Sequence, residues 1–206
     1  MTILKTNTPL DTWMGGLPLK GITLVTGNMG SGKTALLRAI AAERATPQTP
    51  TAYISRNQKY AGGFRLDKLS EVVDVVSHLH TMEPKPVILI DDAQDYMSPI
   101  EPAGKAKTWA GFVRNPSFRE HCVVIAAQTR RVAVPGDKSR ITTGLGQGVT
   151  YGADMILTTE VQASIRDGII LRITCEKCRW ADTAKMAPFL MAVVHDDELG
   201  WRGEAA

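Results

Sequence analysis

Cysteine is scarce: Cys122, Cys175 and Cys178 are the only three in the chain. Three is an odd number, two of them stand in apolar or strand-like surroundings where a reduced thiol fills space, and no disulfide framework follows. Long apolar runs are missing as well. The longest clearly apolar stretch, Met186 to Val194, is well short of the roughly 18 residues that a membrane-crossing helix needs, and the N-terminus lacks the charged start and apolar run of a secretory signal. A cytoplasmic chain with no membrane segment is the expectation. Neither sign of charge dominates, since 24 Lys and Arg against 21 Asp and Glu leave a net +3. Any case for a polyanionic partner therefore rests on where the charges sit. Internal repeats and linker-like stretches are absent, so a single domain over residues 1–206 is expected, with an acidic, frayed tail from about Asp196.

What is present has globular proportions, 44% apolar and 22% charged. Short runs rich in valine and isoleucine alternate with stretches of helical periodicity, the order of an α/β fold with a mainly parallel central sheet and crossover helices. A first strand reads Gly21 to Thr26, a glycine-rich turn follows, and Thr34 to Ala41 are good helix formers. The second strand is Thr51 to Ser55. Leu66, Leu69, Val72, Val73, Val76 and Leu79 then recur at helical steps, a one-sided stripe suited to covering a sheet face. The third strand, Val87 to Ile90, ends in Asp91-Asp92, and the fourth, Val123 to Ala127, ends in Gln128. From Thr129 to Gly152 the chain is polar and glycine-rich, which reads as a functional loop. Strand-like runs return at Met155–Leu157, Ile169–Ile173 and Phe189–Val194 as a C-terminal extension.

The segment Gly27-Asn28-Met29-Gly30-Ser31-Gly32-Lys33-Thr34 satisfies the pattern G-x-x-x-x-G-K-[ST] between a strand and a helix. Glycines let the backbone curl until successive N–H groups point inward, and the helix N-terminus adds its positive end, so the loop is a cradle for phosphates. Lys33 is placed to reach β- and γ-phosphates, and the Thr34 hydroxyl to enter the shell of a Mg2+ ion bound with ATP. A carboxylate at the end of a buried strand completes such a site, a place that Asp91 fits. Asp92 is the second carboxylate; a solvated strand end is the plain alternative for the pair. Gln128 stands where it can sense the γ-phosphate or the attacking water, or else it simply ends its strand.

With these residues placed, the chain resembles the RecA-like ATPase core shared by the KaiC, RadA and DnaB families. Leu10-Asp11 through Gly15-Gly16 to Gly21 is similar to the family's lead-in. Ile90 to Met97 looks like the Walker B segment of hexameric helicases, and Ala127-Gln128-Thr129-Arg130-Arg131 like their glutamine-to-arginine motif. Gly152 to Leu157 followed by Lys177-Cys178-Arg179 resembles the segment that carries trans-acting lysine and arginine fingers. The resemblance implies a homo-oligomer, ring or filament, in which Lys177 and Arg179 complete a neighbour's site; solvent-facing basic residues on an edge strand are the alternative. Relatives usually place a catalytic glutamate after the second strand, where Ser55-Arg56-Asn57-Gln58 offers no carboxylate. Asn57 can orient water but cannot take its proton, which turns attention to Asp92 as base or to slow hydrolysis. The chain is similar to minimal phage-type recombination or annealing ATPases, and a phage origin implies the host cytoplasm.

In such proteins the loops after the third and fourth strands touch DNA, here about Pro99 to Lys107 and Arg130 to Gly148. Arg130, Arg131, Lys138 and Arg140 cluster in the second against Asp137 alone, and such groups gain affinity by releasing counterions from a phosphate backbone. Few aromatics accompany them, so the implied mode is sequence-independent binding of single-stranded DNA; a solvated basic loop is the alternative. The implied function is a motor, helicase or recombination ATPase. Beside it stand a nucleotide-gated annealing module with little hydrolysis and a genome-packaging or signalling ATPase of the same fold. Cys175-x-x-Cys178 has metal-like spacing but no second pair of donors, and on a regular strand its members face opposite sides. His78 and His80 read as ordinary helix residues, and Trp109 and Phe112, three apart, as core.

Overall fold

A computed structural model of the chain describes residues 2–44, 50–56, 63–96, 102–132, 140–143, 145–196 and 200–206. A short entry segment comes first, with β1 (Ile3–Leu4) paired to β2 (Leu17–Pro18) around α1 (Leu10–Met14). The core follows as β3 (Gly21–Gly27), α2 (Lys33–Arg44), β4 (Thr51–Ser55), β5 (Phe64–Arg65), α3 (Leu69–Leu79) and β6 (Val87–Asp91). Then come α4 (Pro102–Arg114), α5 (Pro116–Arg119), β7 (Cys122–Val132), β8 (Arg140–Thr143) and α6 (Gln147–Gly152). The long strands β9 (Met155–Ile165) and β10 (Gly168–Cys178) lead to β11 (Phe189–Asp196) and β12 (Gly200–Ala205).

Spatially the strands run β5-β4-β6-β7-β3-β9-β10-β11-β12. From β5 to β9 every neighbouring pair is parallel, and β9 to β12 are antiparallel. β3 and β6 are buried at every position, as strands covered on both faces must be, and so β6 reads as an apolar run up to Asp91 and β3 as one broken by Thr23 and Thr26. One face packs Val25, Leu89, Val124 and Leu157 on Leu36, Leu37 and Ile40 of α2. The other packs Leu24, Ile88, Ile90, Ile125 and Ile156 on Val72 and Val76 of α3, Trp109 and Phe112 of α4, Phe118 of α5 and Val149 of α6. Trp109 and Phe112 are core residues with ring centroids 4.9 Å apart.

Two expectations are corrected. The fourth strand does not end at Ala127, and the stretch that follows is not a simple loop. β7 continues to Val132 and pairs antiparallel with β8, and α6 comes next; beyond Gln128 the parallel partner has ended, and the strand keeps its ladder by taking β8 instead. The C-terminal tail does not fray from Asp196. Gly200–Ala205 pairs with β11 across the register Met191↔Ala205 to Asp196↔Gly200 and packs on α2.

Candidate functional site

The register brings the carboxyl ends of the parallel strands to one edge, with Gly27 beside Gln128 and Ser55 beside Asp91; crevices at this edge are where open α/β sheets hold ligands. From Gly27 the chain turns at Asn28, whose carbonyl accepts from Ser31 N at 3.2 Å, and enters α2 at Lys33. Gly30 and Gly32 take φ of +74° and +84°, and a Cβ on Gly32 would stand 2.3 Å from Leu171 Cδ2. Only glycine combines that backbone with so close an approach to β10.

Lys33 is buried, and its ammonium donates to the loop's own carbonyls, Asn28 O at 2.9 Å and Gly27 O at 3.3 Å. Burial lowers its pKa, opposed by the charges of Asp92 and Asp91. A buried cation at the positive end of a helix suits a polyanion. On the other side of the loop Thr34 Oγ1 donates to Asp91 Oδ1 at 3.0 Å. Tyr53 in β4 donates to the other oxygen, Asp91 Oδ2, at 2.6 Å. This set of a hydroxyl and an oxygen-donor carboxylate beside the phosphate cradle fits a hard divalent cation.

Asp92 sits one residue beyond β6, across a cis peptide from Asp91. Its Oδ1 accepts from Gln94 N at 3.3 Å and its Oδ2 from Gln128 Nε2 at 3.3 Å. Burial, with a smaller push from the Asp91 charge, raises its pKa against the pull of those hydrogen bonds and of Lys33. Gln94 Nε2 in turn donates to Gln128 O at 3.2 Å, and Thr129 Oγ1 donates to Asn28 Oδ1 at 2.9 Å. The end of β7 is thus joined both to the second carboxylate and to the phosphate loop.

Residues 23–133 match the model of the ATPase family associated with various cellular activities (AAA), a span of more than half the chain that holds every group described above except Leu171. The chain belongs to the AAA family. It is accordingly a P-loop enzyme that binds and hydrolyses nucleotide, in a family whose members bind ATP with Mg2+ and often assemble into oligomers on macromolecular substrates. No curated protein matches the AAA chain.

The remaining candidates lie elsewhere. Lys177 and Arg179 are engaged within the protomer: Lys177 Nζ donates to the carbonyls of Thr150, Tyr151 and Ala153 at 3.2, 3.1 and 2.6 Å, and Arg179 pairs with Asp154 at 3.0 Å. Asp154 also binds Arg119 at 2.8 Å and accepts from Ile22 N at 2.9 Å. A β-bulge between Cys175 and Lys177 causes this, because it puts Lys177 opposite Ile156 on the α6 face while Cys175 and Cys178 both stand on the α2 face. The two cysteines therefore share a side, unlike residues three apart on a regular strand. Among the described residues no cluster of metal-binding side chains occurs. Arg130, Arg131 and Arg140 lie in the β7–β8 ladder, with Arg130 opposite Thr142 and Val132 opposite Arg140; Lys138 and Asn57 lie outside the described residues. Of the other proposed DNA loop, residues 102–107 belong to α4. No helix among the described residues is long and apolar enough to cross a membrane.

Tyr53, Thr129 and Arg38, which hydrogen-bonds Tyr53, were not legible as site residues. The one usable signal for Tyr53 is a tyrosine inside a buried strand, whose hydroxyl needs a partner.

Proposed function

We propose that this AAA chain is a RecA-like motor or recombination ATPase that grips single-stranded DNA with the β7–β8 hairpin and works as an oligomer. The observation that carries the reading is the continuity of β7. One strand runs from Gln128, hydrogen-bonded to Asp92, to Arg130 and Arg131, paired there with the strand that bears Arg140. Two residues of extended strand span only about 7 Å, so a shift of Gln128 moves the basic hairpin with it. The Thr129–Asn28 bond ties the same root to the phosphate loop. The antiparallel strands β10 to β12 support the finer RecA-like likeness.

In this reading the loop amides from Gly27 to Thr34 and Lys33 hold the phosphates of ATP, and Thr34 and Asp91 hold the magnesium side. Bound Mg2+ neutralises charge on the β- and γ-phosphate oxygens. Asp92 takes the proton of the attacking water, a role suited to a carboxylate whose pKa burial has raised, and Gln128 orients that water. Lys177 and Arg179 serve a neighbour's site only after leaving the α6 carbonyls and Asp154. A second reading, a nucleotide-gated module with little turnover, is favoured by the end of β4, where Ser55 is buried, Arg56 pairs with Asp67 and the sequence puts Asn57 where relatives carry the glutamate.

Neutralising Arg130, Arg131, Lys138 and Arg140 together tests the reading. Single-stranded DNA affinity should fall, and the slope of log K against log salt should flatten by about 3, near 0.7 for each phosphate no longer neutralised. Unchanged affinity and slope would remove DNA from this hairpin. ATPase rates with and without DNA on the unsubstituted protein separate motor from gated module.

A further inference from the structure

Two contacts leave Asp91 little freedom. Thr34 uses its single hydroxyl proton on Oδ1, and Tyr53 donates to Oδ2 at 2.6 Å from a ring that is only 2% exposed. So short a bond to a carboxylate is of the charge-assisted kind, and at that burial no water stands ready to replace it. Tyr53 is held in turn by Arg38 of α2, which hydrogen-bonds it and lies with its guanidinium carbon 5.8 Å from the Trp201 ring centroid in β12. Tyr53 and Asp91 stand on the α2 face of adjacent parallel strands, with Tyr53 opposite Leu89, two residues before Asp91.

We propose that Tyr53 is a positioning residue for the metal side of the site: its hydroxyl engages Oδ2 of Asp91 and fixes the carboxylate, so that the oxygen beside Thr34 is the one offered to a divalent cation. This inference rests on the reading of Thr34 and Asp91 as that metal side. With its proton on Asp91, the Thr34 oxygen would keep its lone pairs free for a cation. Tyr53 takes one of the two lone-pair sites on Oδ2 and fixes the plane of the carboxylate, which disfavours chelation through both oxygens. Mg2+ tolerates that restraint, because it keeps most of its waters and takes one carboxylate oxygen, directly or through water; the larger Ca2+ commonly takes both. Tyr53 therefore sets a preference for the small ion.

Tyr53→Phe removes the hydroxyl and little volume. The readout is equilibrium binding of a fluorescent, non-hydrolysable ATP analogue titrated with Mg2+, with Ca2+ and with chelator. The variant should need about tenfold more Mg2+ for half-maximal tightening, as loss of a partner behind a metal ligand usually costs, and its preference for Mg2+ over Ca2+ should shrink. Metal-free affinity should match the unsubstituted protein. Arg38→Gln should shift the Mg2+ midpoint the same way by a smaller factor, which covers the case of a poorly folded Phe variant. A lowered melting temperature with an unchanged Mg2+ midpoint and Mg2+/Ca2+ preference would make Tyr53 merely structural and overturn the inference, as would a normal midpoint in Arg38→Gln if the Phe variant does not fold. Failure of Mg2+ to tighten binding in the unsubstituted protein is a different result, one that overturns the proposed site itself.

Discussion

Burial works on Lys33 and Asp92 in the same sense, disfavouring charge: it lowers the ammonium's pKa and raises the carboxyl's. For Asp92 this has two consequences that one substitution separates. Its folded-state pKa lies above its unfolded value, so the folded protein holds the proton more tightly. The stability this contributes is fully present below the ordinary carboxylate range and is lost as pH rises through the raised pKa. Asp92→Asn is therefore expected to melt higher than the unsubstituted protein near neutral pH, with the gain vanishing in acid, while binding ATP and failing to hydrolyse it. Melting curves across pH and single-turnover assays on the same preparation check both halves. Lys33 and Thr34 were legible from spacing, because a phosphate cradle needs those residue types in that order. The Tyr53 contact was not, since it depends on how β4 and β6 align in space.

At the scale of elements, the β-bulge in β10 decides what Lys177 does. Without it, Lys177 would share a face with Cys175; with it, the ammonium reaches the C-terminal carbonyls of α6, where a helix leaves acceptors unfilled and its dipole favours a cation. Lys177→Met should cost about 1–2 kcal/mol of stability, discounted for the partial exposure of the group, measured by urea denaturation of the isolated chain. Unchanged stability with a loss of ATPase activity only in the oligomer would instead favour the trans role. α3 was legible from its stripe, and Val72, Val76 and Leu79 are indeed buried. The β7–β8 hairpin was not, because polar, glycine-rich sequence does not reveal which segment will pair with which.

Across the whole molecule, the antiparallel extension closes back onto the nucleotide end. β12 lies along α2, the helix that begins at the phosphate loop, and Trp201 packs against the same apolar cluster as α2 while facing Arg38. Trp201→Ala is expected to destabilise the fold by about 2 kcal/mol, mostly through lost packing with a smaller cation–π part. Chemical denaturation followed by far-ultraviolet circular dichroism measures it, and weaker nucleotide binding should accompany it if α2 shifts.

By itself the sequence determined the class of the protein and the centre of its chemistry: the strand, loop and helix from Gly21 to Ala41, the carboxylates after Val87–Ile90, and Gln128 after the fourth strand are local patterns, written in neighbouring residues. Only the tertiary structure decided what those groups touch. The Tyr53 hold on Asp91, the Thr129 bond to Asn28, the engagement of Lys177 and Arg179, and the packing of β12 on α2 all join residues far apart in the chain, and strand register and one bulge select them where no local preference can.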